Sequence, residues 1–299
     1  MWKGVFLGVR IPKSGSSSLD RMLRAAFAGR GVFLFPDTLG LDGCLSRFHH
    51  WRHLRSIRRN LCAHYGVSHL PHALRIINAQ AKPGDLISGG HIDYEFARRN
   101  FSLPVKMITL LRHPVARSVS EYNYARHGHL RRGFFQRVDS MLQAKMAARY
   151  SLTGYLDWLL EHRLVYGNIA SRMLGWDGEA PLGLFFAAHV FHAGVLEQYE
   201  NFAAGLSEKL AVKPEFAWEN RTSVRAVGVA DADARRRIER LYDMDFELYE
   251  HVRALPMAGR VPVMAASRKV LWGAEPDHHR MLNNPLHFPD VTAHIGRIA

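Results

Sequence analysis

The chain has 299 residues, 47% of them hydrophobic and 22% charged, and a chain of about 300 residues hides roughly three quarters of its unfolded surface on folding. Disordered and fibrous classes are excluded. Forty Lys and Arg against 27 Asp and Glu leave a formal charge of +13 before the 18 His are counted, a balance that draws polyanions, nucleotides or acidic surfaces without choosing among them.

Cys44 and Cys62 are the only cysteines and form no CxxC, which argues against a disulfide framework or a Cys-based zinc site and points to a reducing compartment. No apolar run reaches the about 18 residues that a membrane span needs. The longest in mid-chain, Leu182 to Val190, is interrupted by Gly183 and His189. Met1-Trp2-Lys3 runs straight into a segment carrying Arg10 and Pro12, unlike a signal peptide. The expectation is a cytoplasmic protein without a membrane span.

In chain order, Val5 to Arg10 reads as a strand and Ser16 to Ala28 as a helix with apolar Leu19, Leu23, Ala26 and Phe27. Val32 to Phe35 is a second strand. A basic, polar stretch from Phe48 to Asn60 precedes a helix over Ser68 to Ala81, ended by Pro83-Gly84. Asp85 to His91 gives a short strand. Val105 to Leu111 (VKMITLL) is nearly continuous in apolar residues, as a buried parallel strand is. Pro114 sits just past it, so Val115 to Arg126 is expected as a helix.

RHGHLRRGFFQR, from Arg126 to Arg137, reads as a mobile basic loop, a lid or an acceptor contact. Helices follow at Val138 to Arg149 and Thr153 to Arg163, a last strand at His192 to Leu196, a helix at Tyr199 to Leu210, and one long helix from Asp231 to Arg253. The segment after Pro256 shows no periodicity. Strands alternating with helices predict an α/β fold with a parallel sheet covered on both faces, followed by a helical C-terminal half.

Arg10-Ile11-Pro12-Lys13-Ser14-Gly15-Ser16-Ser17-Ser18 lies where the first strand hands over to the first helix. Unpaired N–H groups and the helix dipole favour an anion there. Gly15 lets backbone approach a phosphate, the serines add hydroxyls, and Lys13 adds one compact charge. The triphosphatase version, GxxxxGK followed by Ser or Thr, is not present, because Lys13 precedes Gly15. A serine-rich helix cap beside a solvated lysine is the plainer reading of this turn alone. A second motif runs from Leu110 to Tyr122, with Arg112 at the strand end and Ser120 eight residues later. An arginine fork and a hydroxyl together grip a further phosphate. Arg117 is either a helper there or part of a solvated face.

The pair PKSGSSS and RHPVARSVSEY resembles the PAPS-dependent sulfotransferases, whose 5′-phosphosulfate loop reads PKxGSxS and whose 3′-phosphate motif reads RxPxxRxxSxY. The segment Gly89-Gly90-His91-Ile92-Asp93-Tyr94 is most similar to the branch of heparan and uronyl O-sulfotransferases, where a GH-type segment carries the catalytic histidine. FHAGVLEQYENFAAGL, ENRTSV and DMDFELYEHV resemble that family's late strand, nucleotide-closing loop and terminal helix. The likeness spans residues 4 to 254, weakest over 35–80 and 127–185. Members of this family carry a P-loop NTPase-like α/β domain. With no evident anchor or Cys pairing, the chain resembles soluble bacterial members. His113 departs from the pattern, replacing the acid common after the motif arginine.

The resemblance implies one sulfotransferase domain over 1–299: a core start with both phosphate motifs at 1–126, a basic loop and helical acceptor-side insertion at 127–185, the last core strand, closing loop and long helix at 186–254, and an extension at 255–299. It implies sulfuryl transfer from PAPS to an acceptor hydroxyl, with His91 as general base and Lys13 stabilising the leaving oxygen. Lys13, Ser14, Gly15, Ser16, Ser17 and Ser18 would cradle the 5′-phosphate and Arg112 and Ser120 the 3′-phosphate. Arg221, Thr222 and Ser223 would close over the nucleotide, and no metal is required.

For His91 the alternative is an ordinary hydrogen-bonded histidine at a strand end, and for ENRTSV a surface turn. Basic stretches beside Phe48, Trp51, Phe134 and Phe135 suggest a carbohydrate or glycoconjugate acceptor, an acidic glycan among the candidates. His49, His50 and His53 read as surface residues. Two other functions stand beside this one. An ATP- and magnesium-dependent phosphotransferase would use Asp93 for the metal. A basic nucleic-acid-binding protein would leave both phosphate motifs unexplained.

Overall fold

A computed structural model describes residues 2–36, 57–131, 142–213 and 230–255. The strands are β1 (Val5–Val9), β2 (Val32–Phe35), β3 (Leu86–Gly89), β4 (Val105–Leu111) and β5 (Val190–Val195). They form one parallel sheet in the order β2-β3-β1-β4-β5. The α/β expectation, a parallel sheet flanked by helices in the P-loop NTPase-like manner, therefore holds.

The period-2 alternation of β1 explains why the sheet needs cover on both sides. Val5, Leu7 and Val9 enter one apolar cluster with Met107 and Leu111. Phe6 enters the other, with Leu19, Leu23 and Phe27 of α1 (Ser16–Ala26) and the residue that follows it. Both faces of β1 are buried, so the strand reads as a continuous apolar run rather than an alternating one.

The middle helices are α2 (57–65), α3 (Leu70–Gln80), α4 (Tyr94–Asn100), α5 (Pro114–Leu130), α6 (Leu142–Arg149), α7 (Leu152–Glu161), α8 (Arg163–Tyr166), α9 (Ile169–Leu174) and α10 (Leu182–His189). After β5 come α11 (Tyr199–Leu210), α12 (Ala232–Leu241) and α13 (Asp243–Ala254). A third apolar cluster joins α5, α6, α7 and α12 through Val119, Tyr122, Ala147, Tyr155, Leu156 and Ile238, giving the helical side of the molecule its own core. No described helix is long and apolar enough to cross a membrane.

Two sequence expectations are corrected. The stretch from Arg126 reads as a mobile loop in the sequence, but 126–130 continue α5. The Arg126 guanidinium donates to the carbonyls of Ala147 (2.9 Å) and Ala148 (3.0 Å), capping the C-terminal end of α6 whose last carbonyls have no partner in their own helix. Residues 132–137 of that region, and 138–141 at the start of the helix expected over Val138 to Arg149, lie outside the described residues.

The single long helix expected over Asp231 to Arg253 is instead two, α12 and α13, broken at Tyr242. Asn168 makes the break. Its N–H donates to the Leu241 carbonyl at 3.2 Å, and its side-chain amide donates to Asp243 at 2.7 Å. Tyr242 is buried with the Arg117 guanidinium 4.3 Å over its ring. These are tertiary contacts, which periodicity along one helix does not contain.

Candidate active site

Open parallel sheets bind ligands beyond the carboxyl ends of their strands, where the strand order switches. In this sheet β1 has β3 on one side and β4 on the other. The three segments singled out in the sequence leave the carboxyl ends of these three adjacent strands: Arg10–Gly15 from β1, Gly89–His91 from β3, and Arg112 from β4.

The first segment is a tight turn in which Lys13 (φ 63°) and Gly15 (φ 75°) both occupy the left-handed region. For a lysine that conformation carries strain of about 1 kcal/mol or more, and such strain persists only where surroundings enforce it. Arg112 is one such support, donating from Nη1 to the Lys13 carbonyl at 3.2 Å. Arg10 is another, its Nε donating to the Ser16 carbonyl at 3.1 Å.

Gly15 caps α1, and a Cβ there would lie 2.7 Å from a Leu196 methyl. The first bond within α1 runs from the Leu19 N–H to the Gly15 carbonyl. The amides of Ser16, Ser17 and Ser18 therefore have no carbonyl of their own helix to reach. Ser14 Oγ is buried and has no hydrogen-bond partner among the described residues, a deficit of about 1–3 kcal/mol until a ligand oxygen or water meets it. Ser14 and Arg112 line one small pocket with Arg117, Asp245 and Tyr249. Burial lowers the pKa of the Lys13 ammonium, with Glu121 on α5 opposing that shift and Arg112 adding to it. These groups suit a nucleotide carrying two separate phosphates.

The second segment turns at Gly89, whose φ of 124° is open to glycine alone and whose Cβ would lie 2.5 Å from the Phe35 carbonyl oxygen. That turn delivers His91, whose Nδ1 makes a short hydrogen bond to the Arg10 carbonyl. A carbonyl only accepts, so Nδ1 is the donor, and in the neutral ring this leaves the lone pair on Nε2. Asp93, the candidate metal ligand of the phosphotransferase reading, instead caps α4 by accepting from the Phe96 N–H at 2.7 Å.

On α5, Ser118 is buried and donates to the Pro114 carbonyl at 2.8 Å, while Ser120 is half-buried. Arg117 is not part of a solvated face. It is buried, paired with Glu121 at 3.5 Å and Asp245 at 3.4 Å, and Asp245 in turn accepts from the amides of Ala170 and Ser171. His113 does not leave the motif unsupported. Glu197, just past β5, accepts the His113 N–H at 3.0 Å and also bonds the Tyr249 hydroxyl, whose pKa burial and Glu197 push up to about 12.

A family model described as "Sulfotransferase domain" matches residues 7–186. The chain belongs to that family. It is a PAPS-dependent sulfotransferase by that membership, and none of the curated proteins matches it. The matched span covers the sulfotransferase turn at Lys13, the His91 segment and the Arg112 motif. Arg221, Thr222 and Ser223 lie outside the described residues, as do Phe48, Trp51, Phe134 and Phe135.

Sequence reasoning missed Glu121, Tyr124 and Glu197. Tyr124 was open to discovery, since it lies four residues after Ser120 and so on the same face of one helix. Glu121 stands within the second motif, but nothing in the sequence pairs it with Lys13. Glu197 reaches the site from the turn just past β5, and no local spacing announces it.

Proposed function

We propose that the enzyme transfers the sulfuryl group of PAPS to a hydroxyl of a carbohydrate or glycoconjugate acceptor, within a single domain over residues 1–299, with His91 as general base. The observation that supports this reading is the hydrogen bond from His91 Nδ1 to the Arg10 carbonyl, which favours the other ring nitrogen, Nε2, as the proton acceptor. PAPS supplies a sulfuryl group on a bridging oxygen that leaves with the 3′,5′-bisphosphate. His91 Nε2 takes the acceptor hydroxyl's proton as its oxygen bonds to sulfur. Lys13 meets the negative charge that gathers on the bridging oxygen as its bond to sulfur breaks. Ser14, Gly15, Ser16, Ser17 and Ser18 hold the 5′-phosphate, Arg112 and Ser120 the 3′-phosphate, and Arg221, Thr222 and Ser223 close over the nucleotide. The chain's charge of +13 supports an acidic glycan as acceptor, and the GH segment supports the heparan and uronyl branch. The proposed location is the cytoplasm.

The test is turnover of labelled PAPS with a panel of unsulfated glycans. His91→Ala should lower kcat by about 100-fold or more while adenosine 3′,5′-bisphosphate binds as in wild type. Full activity in that variant removes His91 as the base.

A further inference from the structure

Tyr124 on α5 is left 62% exposed, although Tyr122, two residues earlier on the same helix, is buried and donates to the Tyr150 carbonyl at 2.8 Å. The exposed ring is not idle. The Lys13 ammonium sits 3.6 Å from its centroid, close enough for the ring's electron-rich face to hold the charge. Tyr124 thus flanks the residue proposed to act on the leaving oxygen, and it stands one helical turn beyond Ser120.

We infer that Tyr124 is the acceptor-side platform of the site, its exposed ring stacking on the apolar face of a pyranose and thereby setting which hydroxyls reach the reacting sulfur. The inference rests on the sulfotransferase reading above. A phenol ring is flat and costs little entropy to order, and sugar rings present C–H faces that lie against it while their edge hydroxyls stay available. The same ring positions the Lys13 ammonium. A phosphosulfate that draws the ammonium toward its own oxygens leaves the ring to the acceptor, so donor binding prepares the acceptor site.

The test uses the full chain, with heparosan as the saccharide probe, 2-naphthol as a flat non-sugar probe, and labelled PAPS as donor. Tyr124→Ala should raise the heparosan KM about tenfold, equivalent to roughly 1.4 kcal/mol of lost contact, with kcat within about twofold and bisphosphate affinity no weaker. Tyr124→Phe, which keeps the ring, should behave as wild type. A KM that does not move in Tyr124→Ala overturns the inference, as does a bisphosphate affinity that falls with the acceptor KM unchanged, since that places the ring on the donor side. Sulfation of 2-naphthol in preference to heparosan overturns the sugar assignment. A wild-type protein that binds no bisphosphate overturns the sulfotransferase site itself, and that result is separate from any effect of Tyr124.

Discussion

The Arg112 guanidinium donates to the main-chain oxygen of Lys13 across 3.2 Å, so the residue proposed to grip one phosphate also braces the loop proposed to hold the other. Two effects of Arg112→Ala follow. Affinity for adenosine 3′,5′-bisphosphate should fall by about 10- to 100-fold, the scale of a lost hydrogen bond to a charged group. AMP, which lacks the 3′-phosphate, should also bind more weakly, by a smaller factor, because Lys13 loses support for its left-handed conformation. Calorimetric titration of both ligands measures this, and an unchanged AMP affinity would confine Arg112 to the 3′-phosphate.

The Arg117–Asp245 pair ties α5 to α13, and both side chains are 2% exposed. Removing one partner strands a buried charge. Asp245→Ala should cost about 3–5 kcal/mol, seen as a lower denaturant midpoint. A loss under about 1 kcal/mol would mean that water reaches Arg117.

Burial lowers the pKa of His192 to about 4, although its Nε2 is bonded to the Phe202 carbonyl at 2.8 Å. An unfolded histidine titrates near 6.5. Between these values the unfolded chain binds more protons than the folded one, so the stability due to a neutral His192 is complete above about pH 6.5 and is lost as pH falls through about 4. The full loss is about 3 kcal/mol. Denaturation of wild type and His192→Gln at pH 7 and pH 4.5 should show the variant losing less on acidification.

Glycine substitutions should differ in sign with position. Gly89→Ala places a Cβ 2.5 Å from the Phe35 carbonyl oxygen at φ 124°, and should cost stability and displace His91, lowering kcat as well. Gly128 lies in α5, and a Cβ there would meet nothing within 4 Å. Gly128→Ala should add about 0.5–1 kcal/mol, since alanine loses less backbone freedom in a helix. Melting temperatures of the two variants, with kcat for Gly89→Ala, decide both.

Four of the strands were legible because each is short, apolar and has Gly or Pro near its ends, whereas β5, with neither beside it, begins at Val190, two residues before the expected His192. Val105–Leu111 and Val32–Phe35 fall where the sequence places them. The turn at Lys13 and the arginine at the end of β4 were legible because a phosphate site on this fold is built from one local stretch, strand, loop and helix start, whose spacing is written in order along the chain. Gly15 and Gly89 stand at left-handed or glycine-only positions, a requirement that residue type alone announces.

Only the tertiary structure decided the rest, because the deciding contacts join residues far apart in sequence. The break at Tyr242 depends on Asn168, and the place of Arg126 depends on the carbonyls of Ala147 and Ala148. The proton on His91 depends on the Arg10 carbonyl, and the support of the Arg112 segment depends on Glu197. A sequence determines which residues can donate, accept or carry charge. Their partners are set when the sheet brings the ends of β1, β3, β4 and β5 to one edge, since hydrogen bonds and buried ion pairs act only over a few ångströms.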